Sequence, residues 1–270
     1  MLGSLLKVEL RRFLNRWQLW VAMCLLVACF IQGYVAFRPF GLAIDQYHDN
    51  YFVAFSYAQG MGAEAILASV YPLIISLLAG DSLVRDKRSG FDRYIFTRVS
   101  YRKYILAKLL SSAIVVALFV YLVEFIMFIF AMAVFPATEK VLAIQGITPV
   151  YAEQIFLSYP YLYIFLITSN AVLYGIALAT LCNFLATLTK NIYVVLVAPW
   201  ILLFVMQLVF YNMELSDYAP LDLLGLYLSG GLIYQQSTLE IPIIFLTVIA
   251  FFFLATYLIF TWNIKRGIGK

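Results

Sequence analysis

The chain has little charge for its size. Only 12% of its 270 residues are Asp, Glu, Lys or Arg, against about 25% in an ordinary soluble domain. It has one histidine, His48, with no second His or Cys beside it, and three cysteines, Cys24, Cys29 and Cys182, all within apolar runs. The first scarcity argues against a metal centre and the second against a disulfide framework, because cysteine so placed packs as a small hydrophobe. HExxH, GxSxG, GxGxxG and CxxC are all missing, so no familiar soluble-enzyme signature is available. The run GIGK at residues 267–270 has neither the upstream glycine nor the Ser/Thr of a phosphate-binding loop. If ATP drives this protein, the nucleotide binds elsewhere.

Apolar side chains are what the sequence has in excess. They make up 64% of residues, and the mean hydropathy is +0.94. A fold in water cannot hide that much hydrocarbon, so lipid must solvate most of it. The expected class is an all-α polytopic membrane protein, a single transmembrane domain over residues 1–270. The net charge of +4 then needs no nucleic acid to explain it, because topology accounts for it.

Charge concentrates in residues 81–108, with eight basic side chains (Arg85, Lys87, Arg88, Arg93, Arg98, Arg102, Lys103, Lys108) and three acidic ones (Asp81, Asp86, Asp92). Each such charge at the centre of a bilayer costs roughly 2.5–3.5 kcal/mol on insertion scales. The stretch therefore reads as a loop between membrane spans, on the positive side. Six spans are expected, over residues 19–37, 63–83, 105–135, 162–188, 192–211 and 241–262. The third is 31 residues long where about 20 suffice, so it must tilt or project. Residues 39–62 read as an outer loop. Residues 212–240 hold an apolar stretch with glycines at 225, 230 and 231 that is too short to span, and read as an outer re-entrant segment before the last helix. Six spans put both termini beside the basic loop. Sixteen of the eighteen cations then fall on that side, all but Arg38 and Lys140, which makes it cytoplasmic.

Residues 1–16 carry Leu2, Leu6, Leu10 and Phe13 at helical spacing, with Lys7, Arg11, Arg12 and Arg16 as the polar side. This fits an amphipathic helix lying in the interface, its cations near anionic lipid headgroups, or simply a charged tail. Glu124 is the one carboxyl near the middle of a span. Such a group marks a pathway or relay, or else is held neutral or bonded to a neighbouring helix. Ala171, Gly175, Ala179 and Asn183 recur at steps of four, with Asn170 one position away. That is a packing seam, with Asn170 and Asn183 as possible pathway residues. In the basic loop, apolar anchors (Phe91, Tyr94, Ile95, Phe96) stand next to Asp86, Lys87, Arg88, Gly90, Arg93 and Arg98. Aromatics and arginine dominate protein interfaces, so this loop is the candidate docking element, the alternative being a solvated loop that only sets topology.

The order Asp86-Lys87-Arg88-Ser89-Gly90, then Thr97-Arg98-Val99-Ser100-Tyr101-Arg102, then Lys108-Leu109-Leu110 resembles the type-2 ABC transporter permease family. Glu is usual there where Asp86 stands, and Pro commonly follows the Thr where Arg98 stands. The amphipathic start, six spans and re-entrant segment agree, so the resemblance runs the length of the chain. It implies the membrane-spanning subunit of an ATP-binding-cassette exporter, multi-pass in the cell membrane of a bacterium. The chain would not be an enzyme itself. It would have no cofactor of its own, with ATP and Mg held by two cytoplasmic ABC ATPase subunits. A second permease subunit, identical or different, would complete a path lined by the first, second and fifth spans. The amino-terminal helix and residues 81–104 would receive the ATPase movement. The many Phe, Tyr and Met residues suit an amphipathic, peptide or lipid-like cargo. The competing readings are an ATP-independent secondary transporter or channel, and a non-transporting sensor or immunity protein on the same fold.

Overall fold

The long apolar runs become long helices. The structure is a computed structural model that describes residues 2–43, 50–61, 66–135, 151–212 and 239–267, and among these residues every regular element is helical. In chain order they are α1 (Leu2–Leu14), α2 (Trp17–Ala43), α3 (Tyr51–Ser56) with a π-helical turn over Tyr57–Met61, α4 (Leu67–Ala79), α5 (Asp81–Ser89), α6 (Phe91–Phe96), α7 (Tyr101–Val134), α8 (Glu153–Ser158), α9 (Pro160–Leu188), α10 (Ile192–Asn212) and α11 (Glu240–Gly267). Five of them, α2, α7, α9, α10 and α11, are long and apolar enough to cross a membrane.

Of the expected second span, residues 63–83, the structure describes residues 66–83, where a turn at Gly80 separates α4 from α5. Its described apolar helix is α4, 13 residues or about 20 Å at 1.5 Å per residue, less than the roughly 30 Å of a hydrocarbon core. Residues 39–62 are not simply an outer loop. The whole of α3 is buried, and Asn50 starts it by accepting a hydrogen bond from the Phe52 amide at 2.9 Å. α3, its π-helical turn, α4 and α5 follow one another along their neighbours. Tyr51 meets the Tyr161 hydroxyl at 2.8 Å near the start of α9, Gln59 meets Glu124 midway along α7, and Asp81 meets Arg16 beside the start of α2. The expected re-entrant segment falls almost wholly outside the described residues.

α9 is the central helix, with α4, α7, α10 and α11 packed around it. The small-residue stripe does what its spacing predicts. Ala171 and Ala179 are buried, and a Cβ on Gly175 would come within 2.8 Å of the Tyr71 hydroxyl and 3.0 Å of Val116. Tyr71 in turn donates to the Ala171 carbonyl at 2.8 Å, closing α4 onto that seam. A tighter approach occurs where α2 meets the π-helical turn. A Cβ on Gly33 would lie 2.6 Å from the Ala58 Cα and 3.1 Å from its carbonyl oxygen. Backbone cannot swing aside as a long side chain can, so Gly33→Ala should destabilise the protein by about 1–3 kcal/mol. Gly3→Ala, with open space around the new methyl, should cost nothing. Thermal unfolding in detergent distinguishes the two, and an unchanged midpoint for Gly33→Ala would contradict this packing.

α7, at 34 residues, is about 51 Å long. That is longer than the roughly 30 Å of a hydrocarbon core. Its amino-terminal end carries the buried Tyr104 and Lys108 into the site described next.

Candidate functional site

α1, α5 and the start of α7 meet around charged side chains that are almost entirely buried. Asp86 is 1% exposed, Lys108 2%, Asp81 3% and Glu9 4%, levels that these residue types reach only when paired. Helical spacing sets up the pairings. Glu9 and Arg12 are one turn apart on α1 and bond at 2.9 Å. Asp81 and Arg85 are one turn apart on α5 and also pair. The rest crosses between elements. Arg12 donates to Asp86 at 2.8 Å, Arg16 donates to Asp81 at 2.7 Å, and Lys108 lies 2.6 Å from Asp86 and 2.7 Å from Glu9. Tyr104 adds a hydroxyl bond to Asp86 at 2.8 Å, and Ser82 accepts from Lys108 at 2.9 Å.

Three carboxylates thus face four cations, nearly neutral overall, with hydrogen bonds filling the remaining positions. Burial by itself would raise the Asp86 carboxyl. Lys108 first, then the Arg12, Lys108 and Tyr104 hydrogen bonds, outweigh it and hold Asp86 below the usual carboxylate range. Burial pulls the Arg12 guanidinium down, but Asp86 and Glu9 more than reverse this and leave it raised. For Arg16, burial prevails over Asp81 and lowers the guanidinium.

This arrangement revises the expected roles. Asp86 faces inward as the pivot of the ionic cluster rather than outward to a partner. Lys87 donates to the Ala186 and Thr187 carbonyls at 2.7 and 3.1 Å, and Arg88 to the Lys190 carbonyl at 2.8 Å. Both therefore tie α5 to the end of α9. Gly90 ends α5 at φ +68°, the left-handed conformation that glycine adopts without strain, and so turns the chain into α6. Beyond that turn lie the exposed members of the predicted set. Phe91 is 36% exposed under the Arg12 guanidinium, which sits 4.8 Å from its ring centroid, and Tyr94 is 56% exposed with Arg98 5.0 Å away. The Arg93 side chain lies outside the described residues. Arg12 and Arg16 are both ion-paired in the cluster.

The sequence reading missed Glu9, Arg16, Asp81, Tyr104 and Lys108 as one unit. Two signals pointed to it. Glu9 is the only acid among the first sixteen residues, and Lys108 interrupts the apolar run after Tyr104.

The intramembrane candidates separate. Glu124 is 1% exposed and accepts from Gln59 Nε2 at 2.9 Å, with Thr168 as a second hydrogen-bond partner. Asn183, 2% exposed, donates to Ser112 Oγ and to the Ala179 carbonyl, both at 2.9 Å, a bond that joins α9 to α7. Asn170 donates to the Tyr151 hydroxyl at 3.0 Å. The structure does not bring these three together. Among the described residues no group of His, Cys, Asp or Glu could hold a metal ion.

No family model and no curated protein matches the sequence. What the site does must therefore be argued from its own geometry.

Proposed function

We propose that the chain is the membrane-spanning subunit of an ATP-driven exporter, moved by separate cytoplasmic ATPase subunits. The observation that carries this reading is the rigid tie between an exposed aromatic–arginine surface and the membrane helices. Phe91, Tyr94 and Arg98 stand on α6 and just beyond it, next to α5, and α5 is bonded through Asp81 and Asp86 to α1 and α7. A force applied at α6 reaches α7 through ion pairs that resist shear, because any slip leaves buried charges unpaired.

In this reading the chain crosses the bilayer six times, the second crossing being made in two pieces by α3 with its π-helical turn and by α4. Both termini are cytoplasmic. α1 lies along the inner interface, with the exposed Val8, Leu14, Trp17 and Trp20 toward lipid, as interfacial helices place their apolar and aromatic side chains. A second copy or a related permease completes the path, and the cargo is amphipathic, peptide or lipid-like.

One observation favours a different reading. A buried carboxyl, Glu124, bonds to Gln59 in the π-helical turn of a discontinuous helix, an arrangement also found where secondary transporters bind coupling ions. Reconstitution in vesicles separates the two. The exporter reading expects a fluorescent amphipath to accumulate only with ATP and a partner ATPase, and Glu124→Gln to keep at least half the rate. Uptake without ATP that Glu124→Gln abolishes would establish the secondary transporter instead.

A further inference from the structure

α5 sorts its charged side chains by destination. Its carboxylates, Asp81 and Asp86, reach Arg12, Arg16 and Lys108, on the side of α1 and α7. Lys87 and Arg88 go the other way, to backbone carbonyls at the end of α9. The last four carbonyls of a helix lack an intrahelical donor. Lys87 serves two of them, Ala186 at 2.7 Å and Thr187 at 3.1 Å, and Arg88 Nε donates to the Lys190 carbonyl at 2.8 Å. The turn they hold is itself braced. The Thr189 hydroxyl accepts from the Asn191 amide, and the Asn191 side chain from the Tyr193 amide, both at 3.0 Å. A displacement of α5 thus passes through charge-assisted bonds to the first turn of α10.

α10 can take up such a displacement part-way along. Val195, Pro199 and Leu203 are all buried and, being four apart, lie on one face of the helix. Val195 packs in a small core with Leu83 and Val84 of α5 and Cys182 and Ala186 of α9. Leu203 belongs to the main core, with Leu67 and Tyr71 of α4. Pro199 stands between the two cores. It has no N–H for the Val195 carbonyl and its ring crowds that turn, so the helix bends most readily there. Beside it, the Trp200 indole donates to the Ser69 carbonyl of α4 at 2.8 Å, which holds the far part of α10 on the main core.

We infer that Lys87 and Arg88 are positioning residues that make the α9–α10 turn move with α5, and that α10 absorbs this movement by bending at Pro199. α5 then drives two sets of helices at once, one through its acids and one through its bases. As a transmission device the linkage rests on the exporter reading for the force that moves α5, but the bonds and the bend need no ATPase.

The test is pulsed electron–electron distance measurement on the full chain in detergent, spin-labelled at paired cysteines in a Cys24→Ser background. Cys29 and Cys182 are buried and stay unlabelled. Ser89→Cys with Val194→Cys spans α5 and the start of α10, and Ser89→Cys with Lys103→Cys spans α5 and α7. Met132→Cys with Val209→Cys spans the far ends of α7 and α10, and all of these sites are exposed. With Lys87→Met and Arg88→Gln, the first pair should lose its single narrow distance peak while the other two keep theirs. Adding Pro199→Ala, which restores the helix bond, should carry the broadening to the Val209 pair. Arg88→Gln alone, at an exposed site, folds whatever the fate of the double variant, and should already broaden the first pair. Three results overturn the inference. The first pair stays narrow in every variant. The Ser89–Lys103 pair broadens as much as the first, so the cations hold the whole layer rather than the turn. Or the Val209 pair broadens with Pro199 in place, so α10 moves as a rod. None of these measurements involves ATP, so a chain that captures no ATPase removes the exporter reading and leaves the linkage standing.

Discussion

Asp86→Ala should unfold the end of the protein where α1, α5 and α7 meet rather than merely blunt its surface. The substitution removes the carboxylate that Arg12, Lys108 and Tyr104 share and leaves Lys108, 2% exposed, with only Glu9 and Ser82 against it. Breaking a buried ion pair from one side costs about 3–5 kcal/mol, which is a large fraction of the stability of most domains. The expected result is a drop of many degrees in the unfolding midpoint and poor recovery from membranes. Asp86→Asn, which keeps the shape and one acceptor, should lose less than Asp86→Ala. The pH dependence follows from the direction of the Asp86 shift. Its carboxyl is held below the usual range when folded, so its contribution is fully present above the unfolded value of about 3.9. It is lost only as pH falls through the lower folded value. Stability from this group should thus stay flat between pH 7 and pH 5. A midpoint that Asp86→Ala leaves unchanged at pH 7 would show that the cluster is not what holds α1, α5 and α7 together.

The second large effect concerns affinity rather than stability. Phe91→Ala and Tyr94→Ala should each weaken binding of a soluble ATPase about 30-fold, the effect of losing an interface anchor worth about 2 kcal/mol. Neither should unfold the protein. Phe91 is only partly covered, by Arg12, and Tyr94 is mostly open. Loss of the Arg12 contact costs about 0.5–1 kcal/mol at such an exposed site. The ratio between the two readouts is the informative quantity. A docking residue loses affinity at constant stability, whereas Asp86→Ala loses both together. Equal affinity for wild type and both variants would remove α6 from the interface.

The uninterrupted apolar runs made most of the architecture legible. α9, α10 and α11 fall within a few residues of the expected third-last, second-last and last spans over their described parts, because nothing in those runs competes with a helix of bilayer length. The helical character of residues 51–61, read as part of an outer loop, was hidden for a physical reason. Tyr51–Ser56 is short, aromatic and apolar, which is also how an interfacial belt reads, and only tertiary burial distinguishes the two. The ionic cluster was legible in composition but not in geometry. Arg12 read as the polar side of an amphipathic helix and Asp86 and Lys108 as members of a charged loop, and residues 74 positions apart, such as Arg12 and Asp86, reveal their pairing only once α1 is laid beside α5. The stripe through Ala171, Gly175, Ala179 and Asn183 was read correctly as packing, because periodicity alone fixes which residues share a helix face.

The most direct measurement is capture of the ATPase itself. The protein is solubilised from its own membranes in mild detergent, purified by a tag, and the co-purifying soluble protein is tested for ATP hydrolysis, with wild type and Phe91→Ala/Tyr94→Ala in parallel. The account predicts that wild type brings down an ATPase and that the double variant, equally well folded, does not. A chain that purifies alone and still moves solute in vesicles without ATP would contradict it.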